Sequence, residues 1–204
     1  MDYIANHIEL TGCLASAPQF SHDNHGRRFF SFYLEVERLS GTVDRLPVLA
    51  PEPLLQSVSA EEGEALRVTG QIRSFNSRAA GGRRLVISVL ADSVNVCNAP
   101  HDNQVTLTGV ICKEPVYRRT PLGREICDVM LAVNRPYHRA DYLPCILWGR
   151  TAQEVSALSV GTALTLTGRL QSRQYVKLLD GVAEQRTAYE ISAITAEVCT
   201  APAE

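Results

Sequence analysis

The chain has 204 residues, of which 45% are hydrophobic and 21% charged, and its formal net charge at neutral pH is −2. These proportions are typical of a soluble globular protein, and the charge excludes a polycation that would hold nucleic acid by bulk attraction. No stretch approaches the roughly 18 apolar residues of a membrane helix, and the first residues lack the basic and apolar regions of a secretory signal. We therefore expect a cytoplasmic protein without a membrane partner.

The first half of the chain is predicted to be all-β with one short helix. Apolar residues alternate with polar or small ones in the first two predicted strands, which is the period of a half-buried strand. In chain order the patterns predict strands at 8–14, 30–36, 65–72 and 84–94, a helix-compatible stretch at 53–63 and a hairpin turn at 79–82.

The second half repeats the first at a spacing of 97 residues. Leu10, Thr11 and Gly12 return as Leu107, Thr108 and Gly109, and 13 residues are identical between 6–47 and its counterpart. Average residue usage would give about three identities over that length. The corresponding elements are a strand at 105–111, strands at 129–133, 141–148, 163–170 and 187–198, a helix-compatible stretch at 151–161 and a turn at 178–181. One unit has therefore been duplicated.

The element order of the second half, with the first half as its repeat, predicts an OB-fold barrel in each. Five strands with a single helix between the third and fourth is the order of that fold, whereas a sandwich or an SH3-like barrel would not place a helix there. The fold class is thus all-β, with two tandem OB-fold, five-stranded barrels. We predict an N-terminal domain over 1–97, a linker over 98–102 that holds turn formers and no periodicity, and a C-terminal domain over 103–204.

No residue pattern indicates a metal, a cofactor or an enzyme. The six cysteines are far apart and form no CxxC pair, so we interpret them as reduced thiols. His22 and His25 are better explained by a polar hairpin loop than by a metal site. Neither a nucleophile with its base, a carboxylate pair nor a phosphate loop is found, and we expect a non-catalytic protein.

Aromatic and basic residues are interleaved in the C-terminal half. Binding a single strand without reading its bases requires flat rings on which bases stack and cations that follow the phosphates. Gln171, Arg173 and Tyr175 share one strand face by period two, opposite the core residue Leu170. Tyr142 and Trp148 lie opposite the core residues of 141–148. Any one of these rings could instead be a rim or core residue, and the arginines could simply be solvated.

Residues 103–198 resemble the bacterial single-stranded DNA-binding protein family. The resemblance is carried by NQVTLTGVICKEPVYRRTPLG (103–123), LAVNRPY (131–137), ADYLPCILWGRTAQEV (140–155) and GRLQSRQY (168–175). It implies an OB fold and DNA-stacking aromatics at Tyr137, Tyr142, Trp148 and Tyr175. Basic positions that match the family pattern are Arg118, Arg150 and Arg173, and Arg119 and Arg135 are added on charge alone.

The N-terminal half keeps the framework of the repeat but not these aromatics. The positions of Tyr137, Tyr142, Trp148 and Tyr175 are taken by Ser40, Arg45, Pro51 and Ser77. We expect this barrel to bind nucleic acid weakly and to serve the assembly, with Phe30 and Phe32 in its core. Family members commonly place four barrels around one strand, so two barrels per chain imply a homodimer. The family's acidic recruiting tail is expected to be absent.

The leading hypothesis is sequence-tolerant binding of single-stranded DNA at the nucleoid, in replication, repair or recombination. Stacking rings accept either sugar, so RNA stays open as a ligand. The alternative is a non-catalytic interaction or assembly module of the replication or recombination machinery, with weak binding to nucleic acid. The missing N-terminal aromatics favour that alternative, and the four aromatics of the C-terminal half favour the first hypothesis.

Overall fold

The computed structural model describes residues 5–56, 58–59, 61–79, 82–179 and 182–199, without the side chains of 78, 79, 82, 83, 179 and 182. It contains two compact units. The N-terminal unit consists of His7–Arg73 and Leu85–Gln104. The C-terminal unit consists of the described residues from Val105 onward, those before His7, and the segment Ser74–Arg84. That segment and the described residues before His7 belong to the first half of the sequence, so the two units depart from a division by sequence halves at both places.

The N-terminal unit is built on a closed five-stranded barrel. Its elements are β1 (Asn6–Leu14), β2 (Gln19–Asn24), β3 (Arg27–Glu37), β4 (Val43–Pro51), a 3-10 helix (Glu52–Leu55), β5 (Ala65–Ala79) and β6 (Gly82–Val96). The strands are hydrogen-bonded in the order β3-β4-β6-β5-β1, and β1 closes the barrel by pairing with β3. Strand β2 pairs with β3 outside the barrel.

The C-terminal unit repeats this topology. Its elements are β7 (Asp102–Ile111), β8 (Val116–Arg119), β9 (Glu125–Arg135), β10 (Arg139–Trp148), α1 (Gly149–Ser156), β11 (Ala163–Leu179) and β12 (Val182–Val198). Strands β9-β10-β12-β11-β7 form the barrel, which closes between β7 and β9, and β8 is the additional edge strand. The prediction of tandem OB-fold barrels is confirmed. The edge strands β2 and β8 were not predicted.

The residues shared by the two repeats are the ones that the fold requires. Leu10, Leu34 and Leu46, like their counterparts in the C-terminal unit, are completely buried in the barrel cores. At Gly109 an added Cβ would lie 2.5 Å from the carbonyl oxygen of Ala132, where β7 crosses β9. Gly12 is crowded in the same way by the carbonyl of Glu35. Barrel closure therefore explains why both glycines accompany the repeated leucines.

The two predicted helices have different outcomes. The C-terminal prediction is confirmed by α1, which covers Gly149–Ser156 and buries Ala152 and Val155. The N-terminal prediction over 53–63 is met only at its start, where the 3-10 helix Glu52–Leu55 is the one helical turn among the described residues of that stretch. Pro53 fits a first helical turn, but the following SVSAEEG contains residues that favour caps and turns over helix interiors.

Several local predictions concern connections. The turns predicted at 79–82 and 178–181 fall largely on 80–81 and 180–181, which lie outside the described residues. Residues 97–101 contain no regular secondary structure, and the linker assignment of 98–102 stays a prediction. His25 and Gly26 form the β2–β3 turn, and His22 stacks on Phe29 with ring centroids 5.0 Å apart. Among the described residues no group of His, Cys, Asp and Glu could hold a metal, and no helix could span a membrane.

Candidate nucleic-acid interface

The outer face of β10 carries two of the predicted aromatic residues. Leu143, Cys145 and Leu147 are buried in the barrel, so strand alternation directs Tyr142 and Trp148 outward. Tyr142 is 47% exposed and Trp148 is 38% exposed. Because β10 lies between β9 and β12, both rings stand on a sheet surface rather than on a loop.

A hydrogen bond to the neighbouring strand restricts the orientation of the Trp148 indole. Its Nε1–H donates to Oγ of Ser192 on β12 at 3.0 Å. The polar edge of the ring is thereby satisfied within the sheet. A base that stacks on Trp148 would therefore meet a ring whose orientation is already restricted, which lowers the entropy lost on binding.

Tyr175 and Arg173 form a second part of the same face. Both lie on β11, whose partner β12 is the strand that also flanks β10. The guanidinium carbon of Arg173 is 5.8 Å from the centroid of the Tyr175 ring, within the range of a cation–π contact. Leu170 is buried, which confirms the predicted facing of this strand.

Tyr137 lies apart from this sheet face, in the turn between β9 and β10. It is 90% exposed and has a φ of +64°, and His138 follows with a φ of +53°. Left-handed backbone is uncommon for a bulky residue such as tyrosine. The turn borders an open cleft of about 490 Å³ that is also lined by Arg135 and Arg139. The structure thus places three of the four aromatics on one sheet and the fourth at the end of its hairpin.

Each of the five predicted basic residues is paired with a carboxylate. The pairs are Arg118–Asp128 at 2.5 Å, Arg119–Glu125 at 3.0 Å, Arg135–Asp141 at 3.4 Å, Arg150–Glu154 at 2.8 Å and Arg173–Glu190 at 3.5 Å. Hydrogen bonds that Arg118 and Arg119 donate to Asp128 and Glu125 respectively raise the pKa of the two arginines. A phosphate that approaches these guanidinium groups must compete with an acid already in place.

Glu190 is the residue of this face that sequence reasoning missed. Its carboxylate on β12 contacts Arg173 and also feels the charges of Asp128 and Arg118. Partial burial raises its pKa above the ordinary glutamate value, and Arg173 opposes that shift. The strand period places Glu190 on the outer face with Ser192, and this is the signal in the sequence that could have revealed a negative charge beside the arginines.

The N-terminal unit presents aromatic residues elsewhere. Phe20 on the edge strand β2 meets Phe30 edge to face, with the guanidinium of Arg28 about 5.4 and 5.3 Å from the two ring centroids. Phe32 is buried as predicted, but Phe30 is only half-buried because it extends beyond the barrel toward Phe20. Arg45, which occupies the position of Tyr142, lies over the ring of Tyr33 at 4.9 Å.

Comparison with known proteins gives matches in the C-terminal half and over the whole fold. Residues 102–198 match the single-strand binding protein family. Single-stranded DNA-binding protein B of Bacillus subtilis is 38% identical over 80 residues, which cover 36% of this chain and 71% of that protein. Single-stranded DNA-binding protein 1 of Staphylococcus aureus is 40% identical over 80 residues, covering 36% of this chain and 48% of that protein.

The chain spans about half the length of most of the curated relatives that it matches. The crystal structure of the single-stranded DNA binding protein from Thermus aquaticus superimposes with a TM-score of 0.79. That match covers 98% of this chain and 95% of the other at 23% identity, so both barrels are shared as a fold.

Proposed function

Because the chain belongs to the single-strand binding protein family, we propose that its C-terminal barrel binds single-stranded DNA without reading the base sequence. The observation that carries this proposal is the outer face of β10, β12 and β11. It presents the exposed rings of Tyr142 and Trp148 and the half-buried ring of Tyr175, together with Arg173, on one sheet. Flat rings beside guanidinium groups are the chemistry of a stacking surface for single strands.

Binding proceeds by base stacking and by exchange of partners at the arginines. Bases stack on the three sheet aromatics, and Tyr137 extends the path at the β9–β10 turn. Phosphates replace the carboxylates that neutralise Arg118, Arg119, Arg150 and Arg173 in the free protein. Arg135 stays beside the buried Asp141 and attracts the phosphates from that position. No step of this kind makes or breaks a covalent bond, and the function is non-catalytic protection of single strands at the nucleoid, in replication, repair or recombination.

The N-terminal barrel contributes to assembly more than to affinity. At the positions of the stacking aromatics it has Ser40, Arg45, Pro51 and Ser77, and Arg45 is engaged with Tyr33. Two barrels in each chain make a homodimer the simplest arrangement that gives four, since most oligomers are symmetric assemblies of identical chains.

Tryptophan fluorescence tests the proposal directly, because Trp148 is the only tryptophan of the chain. Titration with oligo(dT) at low salt should quench the fluorescence, added salt should reverse the quenching, and duplex DNA should leave it unchanged. Tyr142→Ala should weaken binding about 5- to 100-fold, the range expected for one stacked base. Tyr33→Ala in the N-terminal unit, which removes a ring of similar exposure, serves as the matched control.

An unchanged spectrum together with no binding by calorimetry would discard the proposal and favour the interaction module. Equal affinity for oligo(U) and oligo(dT) would extend the ligand to RNA.

A further inference from the structure

One segment from the first repeat lies in the C-terminal unit, against the strand that carries Tyr142. The backbone N–H of Ser74 donates to Oδ1 of Asp141 at 2.7 Å, and the backbone N–H of Tyr142 donates to Oγ of Ser74 at 2.7 Å. A single serine thus bonds two consecutive residues of β10. At the other end of the segment, the guanidinium of Arg84 donates to the carbonyl of Thr187 on β12 at 3.3 Å.

The contact occurs where β10 lacks a strand on one side. Strand β9 pairs with β10 along its full length, from Arg139 to Trp148. Among the described residues, β12 pairs in parallel with β10 at Cys145 and Ile146. In that part of the chain no strand of the second repeat pairs with β10 on this side before Cys145, which is the situation of a sheet edge. Ser74 covers this edge at Tyr142.

Asp141 strengthens the contact through its burial and charge. Its side chain is fully buried, and Arg135 lies 3.4 Å from the same Oδ1 that accepts the Ser74 N–H. Buried carboxylates require charged or N–H partners, so movement of Ser74 away from Asp141 would remove one of the partners that compensate its burial. Hydrogen bonds to charged groups are also the stronger class.

We infer that Ser74 is a positioning residue for the Tyr142 stacking platform, so that the first repeat completes the nucleic-acid surface of the second. The inference rests on the proposed function. Ser74 holds the backbone N–H of the residue whose ring stacks on a base, and it thereby limits the directions that the ring can take. Preorganisation of this kind lowers the conformational cost of binding without adding a contact to the ligand.

The test uses full-length protein and a double-mutant cycle. Ser74→Ala removes the oxygen that accepts from Tyr142, Ser74→Thr keeps it, and Ser77→Ala is the matched control on the same segment. The affinity for oligo(dT) is measured for each variant with and without Tyr142→Ala. We expect Ser74→Ala to weaken binding about three- to tenfold, as the loss of one hydrogen bond implies, with Ser74→Thr and Ser77→Ala close to the unaltered protein.

The cycle separates positioning from a general structural effect. If Ser74 acts through Tyr142, the loss caused by Ser74→Ala should shrink to less than about twofold when Tyr142 is already alanine. An equal loss in both backgrounds overturns the inference, and so does an unaffected Ser74→Ala variant. Hydrogen exchange of the Tyr142 amide, expected to accelerate in Ser74→Ala alone, gives a readout that does not require DNA. Absence of DNA binding by the unaltered protein would overturn the proposed function. Unchanged exchange of the Tyr142 amide in Ser74→Ala would instead show that Ser74 does not hold this N–H.

Discussion

At the level of single residues, Glu190 places a negative charge in a positively charged part of the surface. It stands among arginines on the face where DNA phosphates are expected, and partial burial already raises its pKa. Removing this charge should free Arg173 for phosphate. We expect Glu190→Gln to tighten oligo(dT) binding about two- to fivefold, the range of a partly exposed ion pair. Glu197→Gln, which makes the same charge change further along β12, is the control.

The same carboxylate predicts a pH dependence. Since the pKa of Glu190 is raised, it takes up a proton earlier than an ordinary glutamate as the solution is acidified. Protonation removes a negative charge from the face, so DNA affinity should rise as the pH falls through this raised value. Titrations at constant ionic strength should show a flatter profile for Glu190→Gln. An identical profile would mean that this acid does not influence the phosphates.

At the level of elements, the crossing of β7 and β9 depends on the absence of a side chain. Gly109→Ala should destabilise the protein by about 1–3 kcal/mol, because the new methyl group would press on the carbonyl of Ala132 and on Leu131. Denaturant unfolding measures the change, with Gln104→Ala on the exposed side of β7 as control. A loss no larger than that of the control would show that the two strands can separate without cost.

The elements also show what the sequence could predict. Leu10 and Leu34 lie in alternating apolar runs, and Leu46 returns as Leu143, so the barrel strands followed from the period together with the repeat. Strand β2 (QFSHDN) is exposed at every position and carries no such period, and it forms because β3 offers it an edge. The same holds for β8.

The candidate surface was predictable only in part, for a related reason. Strand alternation gave the outward directions of Tyr142, Trp148 and Tyr175. The Arg150–Glu154 pair is local to α1, but the cross-strand partners of the other arginines come from strand pairing. The contact of Ser74 with Asp141 and Tyr142 joins residues up to 68 positions apart and arises from tertiary structure. The functional assignment of each residue stays a prediction until the variants are measured.

At the level of the whole molecule, the two repeats are expected to contribute unequally to the affinity for DNA. Arg45 and Tyr142 occupy equivalent positions, which makes Arg45→Ala and Tyr142→Ala a matched pair in one chain. We expect Tyr142→Ala to dominate the loss of oligo(dT) affinity, because stacking contributes more than one guanidinium that is already engaged with Tyr33. A larger loss for Arg45→Ala would reverse the assignment of the two barrels.

Light scattering tests the assembly. We expect a particle of twice the 22.4 kDa of one chain for the free protein, and the same two chains plus the mass of the bound DNA in the complex with oligo(dT). A monomer at micromolar concentrations would leave two barrels as the complete binding unit.

The placement of Ser74–Arg84 also bears on how such a gene can change over time. A break between codons 98 and 102 divides the coding sequence into its two repeats, yet it would part β10 from the serine that covers its edge. Recombination that exchanged only the second repeat would bring in a foreign β10 strand, and the Ser74 that remains would not have evolved to fit its edge. The two halves are therefore expected to be inherited, and to diverge, as a single cistron whose repeats constrain each other.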